Sequence, residues 1–266
     1  MTDKTGPLYG NAEGYDAYMG RWSTALAPLF LDFASIGAGG PVLDIGCGTG
    51  NLLGVLRSRF PAAHLVGIDP SAALLARAQQ RDDLSEVELI AGDAERLPFA
   101  DGSFAACLSL LVLQEFHGQP QPLKEMRRVT RPGGIVAACQ WDFAQMPVIA
   151  ALVEALATIG AGSRDQLAVT SRRHFNNEAE LVAAWHDTGF SDISAARIRV
   201  TRRYRDFDEL WLTLLAGSTP STMVLATLPE PNREAVRRQL QARLDHAGPD
   251  GHLELVAEAI SVRGKA

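Results

Sequence analysis

Cysteine is scarce in this sequence. Three cysteines occur among the 266 residues, at positions 47, 107 and 139. An odd number of cysteines so far apart does not indicate a disulfide framework, and their spacing fits no zinc site. Each lies within or beside an apolar run, so we expect reduced thiols in a cytoplasmic protein.

Basic residues are outnumbered, and long apolar runs are missing. Lys and Arg total 25 against 31 Asp and Glu, a formal net charge of −6. A mildly acidic surface repels a phosphate backbone, so we expect no nucleic-acid partner. No apolar stretch reaches the ~18–20 residues that span a bilayer. The first twenty residues also lack the pattern of a signal peptide, so neither a membrane nor export is expected.

Metal-binding patterns are absent from the sequence as well. The six histidines lie far apart, and neither a His-Glu-x-x-His segment nor a paired carboxylate spacing occurs. These are the arrangements that hold catalytic metals in proteins. We therefore expect no resident metal.

Strand-like apolar runs alternate with helical patterns through the first half, which is typical of a parallel sheet. The predicted strands cover residues 41–45, 64–68, 87–91, 104–110 and 135–139. Helices are predicted at 51–60, after the N-cap residue Ser71, and at 122–129. The segment Arg131–Gly134 predicts a sharp turn before the fifth strand. Five strand-then-helix units in succession predict a doubly wound α/β fold.

The second half of the sequence is less regular. Helices are predicted at 148–159, 206–216 and 233–246, together with one that Asn177 and Glu180 cap and that ends at Gly189. Two further strands are predicted at 193–204 and 253–262, which makes seven in all.

A glycine-rich turn follows the first strand and carries the strongest functional signal. Gly46, Gly48 and Gly50 lack a Cβ, so the backbone there can pass very close to a ligand. The helix that follows directs its N-terminal amides at the same place. A nicotinamide-binding fingerprint would place its third glycine at position 51, which is Asn51, so an oxidoreductase is disfavoured.

The segment Leu43–Gly50 (LDIGCGTG) resembles motif I of the class I S-adenosylmethionine-dependent methyltransferases, and later segments fall into register with it. Asp69, after the second strand, matches the acidic residue that binds both ribose hydroxyls in that family. Asp93 matches the residue that accepts from the adenine amino group, and the amide of Ala94 meets the ring. The segments 101–104 and 131–134 complete the pattern.

The resemblance implies a fold, a cofactor and a set of binding residues. The fold is a Rossmann-like, doubly wound, mostly parallel seven-stranded sheet with helices on both faces and a small helical cap. Residues 1–40 would form a lid over the cofactor, 41–145 the core that binds it, and 146–266 the cap with the last strands. S-adenosylmethionine is the implied cofactor and S-adenosylhomocysteine the product. The implied cofactor-binding residues are Tyr18, Arg21, Asp44, Gly46, Cys47, Gly48, Asp69, Pro70, Asp93, Ala94, Leu110 and Gln114.

The resemblance also extends to a bacterial subgroup of mostly unassigned substrate. Its N-terminal helix is similar to residues 18–23 and 26–30, and residues 140–142 and 207–211 have counterparts there. For the acceptor pocket we expect Trp22, Trp141, His174 and Tyr204. Trp22 is explained equally well by ordinary packing of an amphipathic helix.

Methyl transfer from a sulfonium is an in-line displacement in which the protein mainly aligns the reactants in a dry pocket. A general base helps if the nucleophile starts protonated. His117, beyond the fourth strand, is the candidate base, because its ordinary pKa lies near neutrality. The alternative is a solvent-facing loop histidine.

Several alternatives stay open at this stage. Residues 197–205 contain five arginines, which a solvated strand face explains and which a site for an acidic substrate would also explain. The main hypothesis is transfer to an O, N or C nucleophile of a small molecule. RNA or DNA methylation is disfavoured, because residues 109–114 lack the Asn/Asp-Pro-Pro-aromatic segment common in base-modifying relatives. A relative that binds the cofactor without methyl transfer, as a cyclase or binding module, has the same cofactor motifs. The sequence does not indicate the oligomeric state.

Overall fold

The computed structural model describes residues 16–37, 39–116, 120–142, 145–162, 175, 177–216, 219–244, 250 and 252–266. A π-helical turn, Asp16–Gly20, leads directly into the first α-helix. The α-helices are α1 (Arg21–Ala34), α2 (Asn51–Arg59), α3 (Ala72–Gln79), α4 (Gln121–Val129), α5 (Pro147–Thr158), α6 (Glu178–Thr188), α7 (Phe207–Leu215), α8 (Pro220–Thr227) and α9 (Glu230–Leu244). The strands are β1 (Val42–Ile45), β2 (Leu65–Asp69), β3 (Glu88–Ala91), β4 (Phe104–Leu110), β5 (Thr130–Trp141), β6 (Ser191–Tyr204) and β7 (Leu253–Lys265).

All seven strands form one sheet, in the order β3-β2-β1-β4-β5-β7-β6. The pairs β2–β3, β1–β2, β1–β4 and β4–β5 are parallel. β7 lies between β5 and β6 and runs antiparallel to both. The sequence-based prediction of a mostly parallel, doubly wound sheet is therefore confirmed, with β7 as its antiparallel member.

Both faces of the sheet are covered by helices. Val42 belongs to the core on one face, together with Phe30 of α1 and Leu53 of α2. Its neighbour Leu43 belongs to the core on the other face, with Trp185 of α6. This alternation leaves every residue of β1 buried, which is typical of a strand covered on both sides. The carboxyl ends of β1, β2 and β3 consequently form the accessible edge where polar groups collect.

The segment Arg131–Gly134, expected as a turn before the fifth strand, lies instead inside β5, while the helix before it ends at Val129 as predicted. The pairing of β5 with β4 shifts from Thr130 to Ile135, so residues 131–134 bulge out of the ladder. Gly133 has a φ of 76° and its amide donates to the carbonyl of Ala266 at 2.9 Å. The partner for this segment comes from the far end of the chain, which a local turn pattern does not reveal.

Helix α8 was missing from the sequence-based prediction. Thr219 caps it: the Thr219 hydroxyl accepts from the amide of Thr222 at 3.3 Å, and the Thr222 hydroxyl accepts from the amide of Thr219 at 2.8 Å. Pro220 occupies the first helical position, where its missing N–H costs nothing. These start signals were present in the sequence, but the helix lacks an amphipathic period.

All three cysteines are free and buried. Among the described residues no helix combines the length and apolarity needed to cross a bilayer. No group of three or more metal-ligating side chains occurs within the same ranges. The division at residues 40 and 145 stays a prediction.

Candidate active site

Asp69 closes β2 and holds the glycine-rich turn. Its two carboxylate oxygens accept from the backbone amides of Gly48, at 2.9 Å, and Ser71, at 2.8 Å. The amides of Gly46 and Cys47 donate to the carbonyl of Ile68, so the turn is tied to the end of the neighbouring strand. Burial raises the pKa of the Asp69 carboxyl above its usual range, and the two backbone amides offset part of that rise. Each oxygen keeps a lone pair for a further donor.

Asp44 is the unusual carboxylate of this edge. It is 1% exposed, and neither of its oxygens has a hydrogen-bond partner among the described residues. Burial, and then the charge of Asp69, raise the pKa of Asp44 well above its usual range. A buried carboxylate without a partner is costly, because its charge is neither solvated nor paired. The position therefore favours a cationic ligand or a bound proton.

The two glycines between these aspartates differ in what surrounds them. Gly46 has a φ of 68°, and a Cβ there would lie 2.4 Å from a methyl group of Val112. Gly48 has a φ of 54°, and a Cβ there would meet none of the described residues within 4 Å. The first glycine is needed for packing within the protein, whereas the second faces open space. That space is where a ligand could approach the backbone.

A narrow cleft opens at this point of the edge. It is lined by Ser23, Asp44, Gly46, Cys47, Gly48, Thr49, Asn51, Leu52 and Leu110. Five of these residues, at positions 44, 46, 47, 48 and 110, were predicted to bind the cofactor. The cleft thus joins the turn after β1 to the end of β4.

Asp93 continues the row of carboxylates past β3. β2 pairs with β3 so that Asp69 lies opposite Ala91, and the amide of Gly92 donates to the carbonyl of Asp69 at 3.1 Å. One oxygen of Asp93 accepts from the amide of Glu95 at 2.9 Å. Asp93 and Ala94 are both half-buried. Three aspartates therefore follow one another along the carboxyl ends of β1, β2 and β3.

The remaining predicted cofactor residues lie in different settings. Arg21, at the start of α1, pairs with Glu209 of α7 at 2.7 Å. Pro70 is exposed beside Asp69. The backbones of Tyr18 and Gln114 belong to the π-helical turn and to a short 3-10 helix, and their side chains lie outside the described residues.

Two histidines that sequence analysis singled out, His117 and His174, also lie outside the described residues. The other three candidates for the acceptor pocket are together in the interior. Trp22 and Trp141 meet edge to face with ring centroids 6.0 Å apart. Tyr204 is 1% exposed, and burial raises its pKa, with the Trp22 side chain among its neighbours. None of the three lines the cleft, and their role stays a prediction.

Sequence analysis missed Leu111, Val112 and a second cavity. Leu111 directly follows β4 with a φ of 65°, a conformation that a branched side chain rarely adopts. It turns the chain so that Val112 fills the space beside Gly46. The second cavity, about 440 Å³, is lined by Asp16, Gly20, Arg21, Thr24, Thr49, Asn51, Arg77, Gln80, Arg81 and Arg202. Thr49 and Asn51 line both the cleft and this cavity, so the two adjoin.

Known proteins resemble this chain in sequence and in fold. A family model described as a methyltransferase domain matches residues 43–138. The demethylmenaquinone methyltransferase of Mycolicibacterium vanbaalenii is 32% identical over 162 residues, which cover 57% of this chain and 68% of that protein. Phosphoethanolamine N-methyltransferase 2 of Haemonchus contortus matches at a TM-score of 0.59 and 19% identity, over 99% of this chain and 58% of that one. The [4+2]-cyclase SpnF matches at a TM-score of 0.56 and 20% identity, over 91% and 80%.

The seven-stranded α/β sheet and the match to a methyltransferase domain define a protein of the methyltransferase class. The chain belongs to the class I S-adenosylmethionine-dependent methyltransferase family. For two other curated relatives, the part that aligns with this chain covers 34% and 24% of the relative's own length. The solved structures, below 25% identity, show likeness of fold alone.

The residues of the cleft fit the cofactor of that family. S-adenosylmethionine carries an ammonium group, and Asp44 is a buried carboxylate that lacks a cation among the described residues. The open space at Gly48 leaves the backbone accessible to a ligand. The Asp69 oxygens retain acceptor capacity for a diol.

Proposed function

We propose that this chain transfers a methyl group from S-adenosylmethionine to an O, N or C nucleophile of a small molecule. The observation that carries the proposal is the row Asp44, Asp69 and Asp93 at the ends of three adjacent strands. Their order along the edge suits a ligand with an ammonium group, a ribose and a base. We infer binding of the cofactor from these three carboxylates, and methyl transfer from membership of the family.

Each carboxylate has a separate task in this proposal. Asp69 accepts from the two ribose hydroxyls, and Asp93 accepts from the adenine amino group beside the amide of Ala94. Asp44 accepts from the ammonium group of the cofactor, while Tyr18 and Arg21 bind its carboxylate. The remaining contacts come from Gly46, Cys47, Gly48, Pro70, Leu110 and Gln114.

S-adenosylmethionine supplies an already activated methyl group when it is bound. The task of this chain is then to orient the two reactants and to exclude water. We assign the acceptor side to the ends of β4 and β5, with Trp22, Trp141, His174 and Tyr204 as pocket residues. His117 would remove a proton from an acceptor that starts protonated.

A small-molecule acceptor is supported by charge and by relatives. The net charge of −6 opposes binding to RNA or DNA. The Mycolicibacterium relative is named for demethylmenaquinone, and the Haemonchus protein for phosphoethanolamine. Neither compound is assigned to this chain.

A second candidate function is binding of the cofactor without methyl transfer. The observation that favours it is the fold shared with a protein named as a [4+2]-cyclase. The cofactor cleft would be the same in both cases. The two functions differ in whether S-adenosylhomocysteine accumulates.

The test is calorimetric titration with S-adenosylmethionine and S-adenosylhomocysteine, with NADH as control, followed by transfer of labelled methyl groups. Small-molecule extracts and bulk RNA would be supplied as separate acceptors. We expect binding of the two sulfur ligands alone, and label in the small-molecule fraction with equimolar S-adenosylhomocysteine. Label confined to RNA would contradict the acceptor class. Binding without transfer to any fraction would favour the second function.

A further inference from the structure

One arginine of the outer strand β6, Arg202, lies on the face of the strand that points into the protein. Its side chains alternate, so that Ile198, Val200 and Tyr204 face inward toward α1 and are buried or half-buried. Arg199 and Arg203 face outward and are exposed. Arg202 shares the inward register, where the alternation calls for an apolar residue. A charged side chain in that register needs a partner or a ligand.

Arg202 also differs from the other arginines of this segment in its partners. Arg197 pairs with Asp142 at 2.5 Å, and Arg199 pairs with Glu258 at 2.8 Å. Arg203 contacts Asp250 and, at 3.1 Å, Glu254. These outward arginines form the solvated strand face that the sequence suggested.

No carboxylate within the described ranges pairs with Arg202. Its Nε is buried and has no hydrogen-bond acceptor there. Burying a guanidinium nitrogen without an acceptor is unfavourable by itself. The arrangement is therefore suited to an acceptor that arrives from outside the chain.

The second cavity supplies the space for such an acceptor. Arg21, Arg77 and Arg81 line it with Arg202, and each of these three has a carboxylate close by: Glu209 at 2.7 Å, Asp16 at 3.3 Å and Asp83 at 2.7 Å. The charge of Arg202 is thus left unbalanced among the described groups. A cavity with excess positive charge in a protein of net charge −6 concentrates small anions locally.

We propose that this second cavity binds an anionic group, a carboxylate or phosphate, of the methyl acceptor, with Arg202 as its main cation. The inference rests on the proposed function and narrows its substrate class to acidic small molecules. It assigns the anionic group of the acceptor to this cavity and leaves the reacting atom at the ends of β4 and β5. A guanidinium binds two oxygens of such a group through parallel, charge-assisted hydrogen bonds. Thr49 and Asn51, shared with the cleft, place the anion next to the cofactor.

The test is titration with inorganic phosphate at constant ionic strength, followed by calorimetry and by thermal unfolding. Wild type is compared with Arg202→Gln and with the matched control Arg203→Gln, which removes an exposed arginine from the next residue. We expect Arg202→Gln to weaken phosphate binding at least about 10-fold, because a charge-assisted hydrogen bond is lost. Arg203→Gln should bind phosphate as wild type does. Absence of phosphate binding to wild type, or equal loss in both variants, would overturn the proposal.

Cofactor binding in the same proteins separates the possible sources of the anion. If the anion belongs to the acceptor, phosphate leaves the affinity for S-adenosylhomocysteine unchanged, and so does Arg202→Gln. Arg21, which also lines the cavity, is assigned to the cofactor carboxylate, so the test concerns Arg202. Competition between phosphate and S-adenosylhomocysteine, with weaker cofactor binding by Arg202→Gln, would assign Arg202 as well to the cofactor carboxylate and overturn our assignment. A wild type that binds phosphate but neither sulfur ligand would contradict the proposed function alone. Should Arg202→Gln fail to fold, Arg202→Lys keeps the charge without the planar fork and should give an intermediate phosphate affinity.

Discussion

Charged side chains occur in two regions: at the carboxyl ends of β1, β2 and β3 (the edge) and along the paired outer strands β6 and β7 (the ladder). The two regions differ in what lies next to those charges. At the edge, Asp44 is buried without a partner in the described part of the chain, and Asp69 accepts from two backbone amides rather than from a cation. In the ladder, the Arg199 side chain is 70% exposed and meets Glu258 at 2.8 Å. Apart from Arg202, the arginines of β6 are balanced by carboxylates of the chain, whereas Asp44 has no balancing cation among the described residues.

This difference indicates which charges serve a ligand. Exposed ion pairs contribute about 0–1 kcal/mol, so the ladder gains mainly solubility and little stability from its arginines. A buried charge without a counterion reduces stability, and a ligand of opposite charge removes that cost. Arg202 resembles Asp44 of the edge, because it too has a buried polar atom without a partner among the described residues, although it lies in the ladder.

The largest effect is expected at Asp69. Asp69→Ala removes the acceptor for two ribose hydroxyls, and hydrogen bonds to charged groups are worth about 1.5–3 kcal/mol each. We therefore expect the Kd for S-adenosylhomocysteine to rise by at least about 100-fold, as measured by calorimetry. If Asp69→Ala leaves the Kd unchanged, as loss of an exposed carboxylate would, the contrast between the edge and the ladder does not hold.

The control for Asp69→Ala must also lose a backbone cap, because Asp69 holds the amides of Gly48 and Ser71. Asn177→Ala serves this purpose, since Asn177 caps α6 by accepting from the amide of Glu180 at 3.0 Å. It should lower stability by about 1 kcal/mol and leave ligand affinity unchanged. Equal affinities in wild type and Asp69→Ala would show that Asp69 only holds the turn.

Sequence analysis located the edge better than the ladder, for a physical reason. The turn at Gly46–Gly50 and the aspartates after β2 and β3 are local patterns, each fixed by a strand that ends beside it. Parallel pairing then brings these separate strand ends together without further information. The paired arginines of β6 depend instead on β7, some sixty residues later, as the pairing of Arg197 with Ile260 shows.

Arg202 could have been found from the sequence. In the sequence, Arg197 and Arg199 alternate with Ile198 and Val200, and continuing this alternation by one step places Arg202 inward with Tyr204. The cavity that receives it could not be predicted, because its walls come from α1, α3 and the turn after β1. Their meeting depends on how α1 packs across the sheet.

The next largest effect is a difference in stability between substitutions at Gly46 and Gly48, two glycines of the same turn. Gly46→Ala introduces strain at a φ of 68° and a clash with Val112. We expect a loss of about 2–4 kcal/mol in the free energy of unfolding, measured in urea. The new methyl group of Gly48→Ala would meet none of the described residues within 4 Å, so this variant should cost only the backbone strain, about 1–2 kcal/mol.

Ligand affinity sharpens this contrast between the two glycines. A Cβ at position 48 projects into the space assigned to the cofactor, so Gly48→Ala should weaken binding of S-adenosylhomocysteine more than its modest loss of stability suggests. If Gly48→Ala binds the ligand as wild type does, the cofactor does not approach that part of the backbone. The calorimetric titration is the same as for Asp69→Ala.

The smallest effect is expected at Asp44. The informative result there is whether the ligand-free variant gains or loses stability. At a pH above the raised pKa of Asp44, Asp44→Asn removes a buried charge that has no partner among the described residues, so the ligand-free variant should be more stable than wild type. The gain is about 1 kcal/mol, because the new amide also lacks a partner. The same variant should bind S-adenosylhomocysteine more weakly, since the ammonium group loses its counterion. Stability and affinity would therefore change in opposite directions.

The pH dependence tests the cause of that gain. Because the pKa of Asp44 is raised in the folded protein, the folded state takes up a proton more readily than the unfolded chain does. The stability deficit of wild type is then fully present above the raised pKa and disappears as the pH falls toward the ordinary range of an aspartate. Urea unfolding of both ligand-free proteins between neutral and acid pH should show the two stabilities converge. Asp32→Asn, at an exposed aspartate paired with Arg59, should change stability by less than about 1 kcal/mol and serves as the control. A variant that is less stable than wild type at neutral pH would mean that Asp44 is not an uncompensated charge, and the contrast between edge and ladder would fail at its central residue.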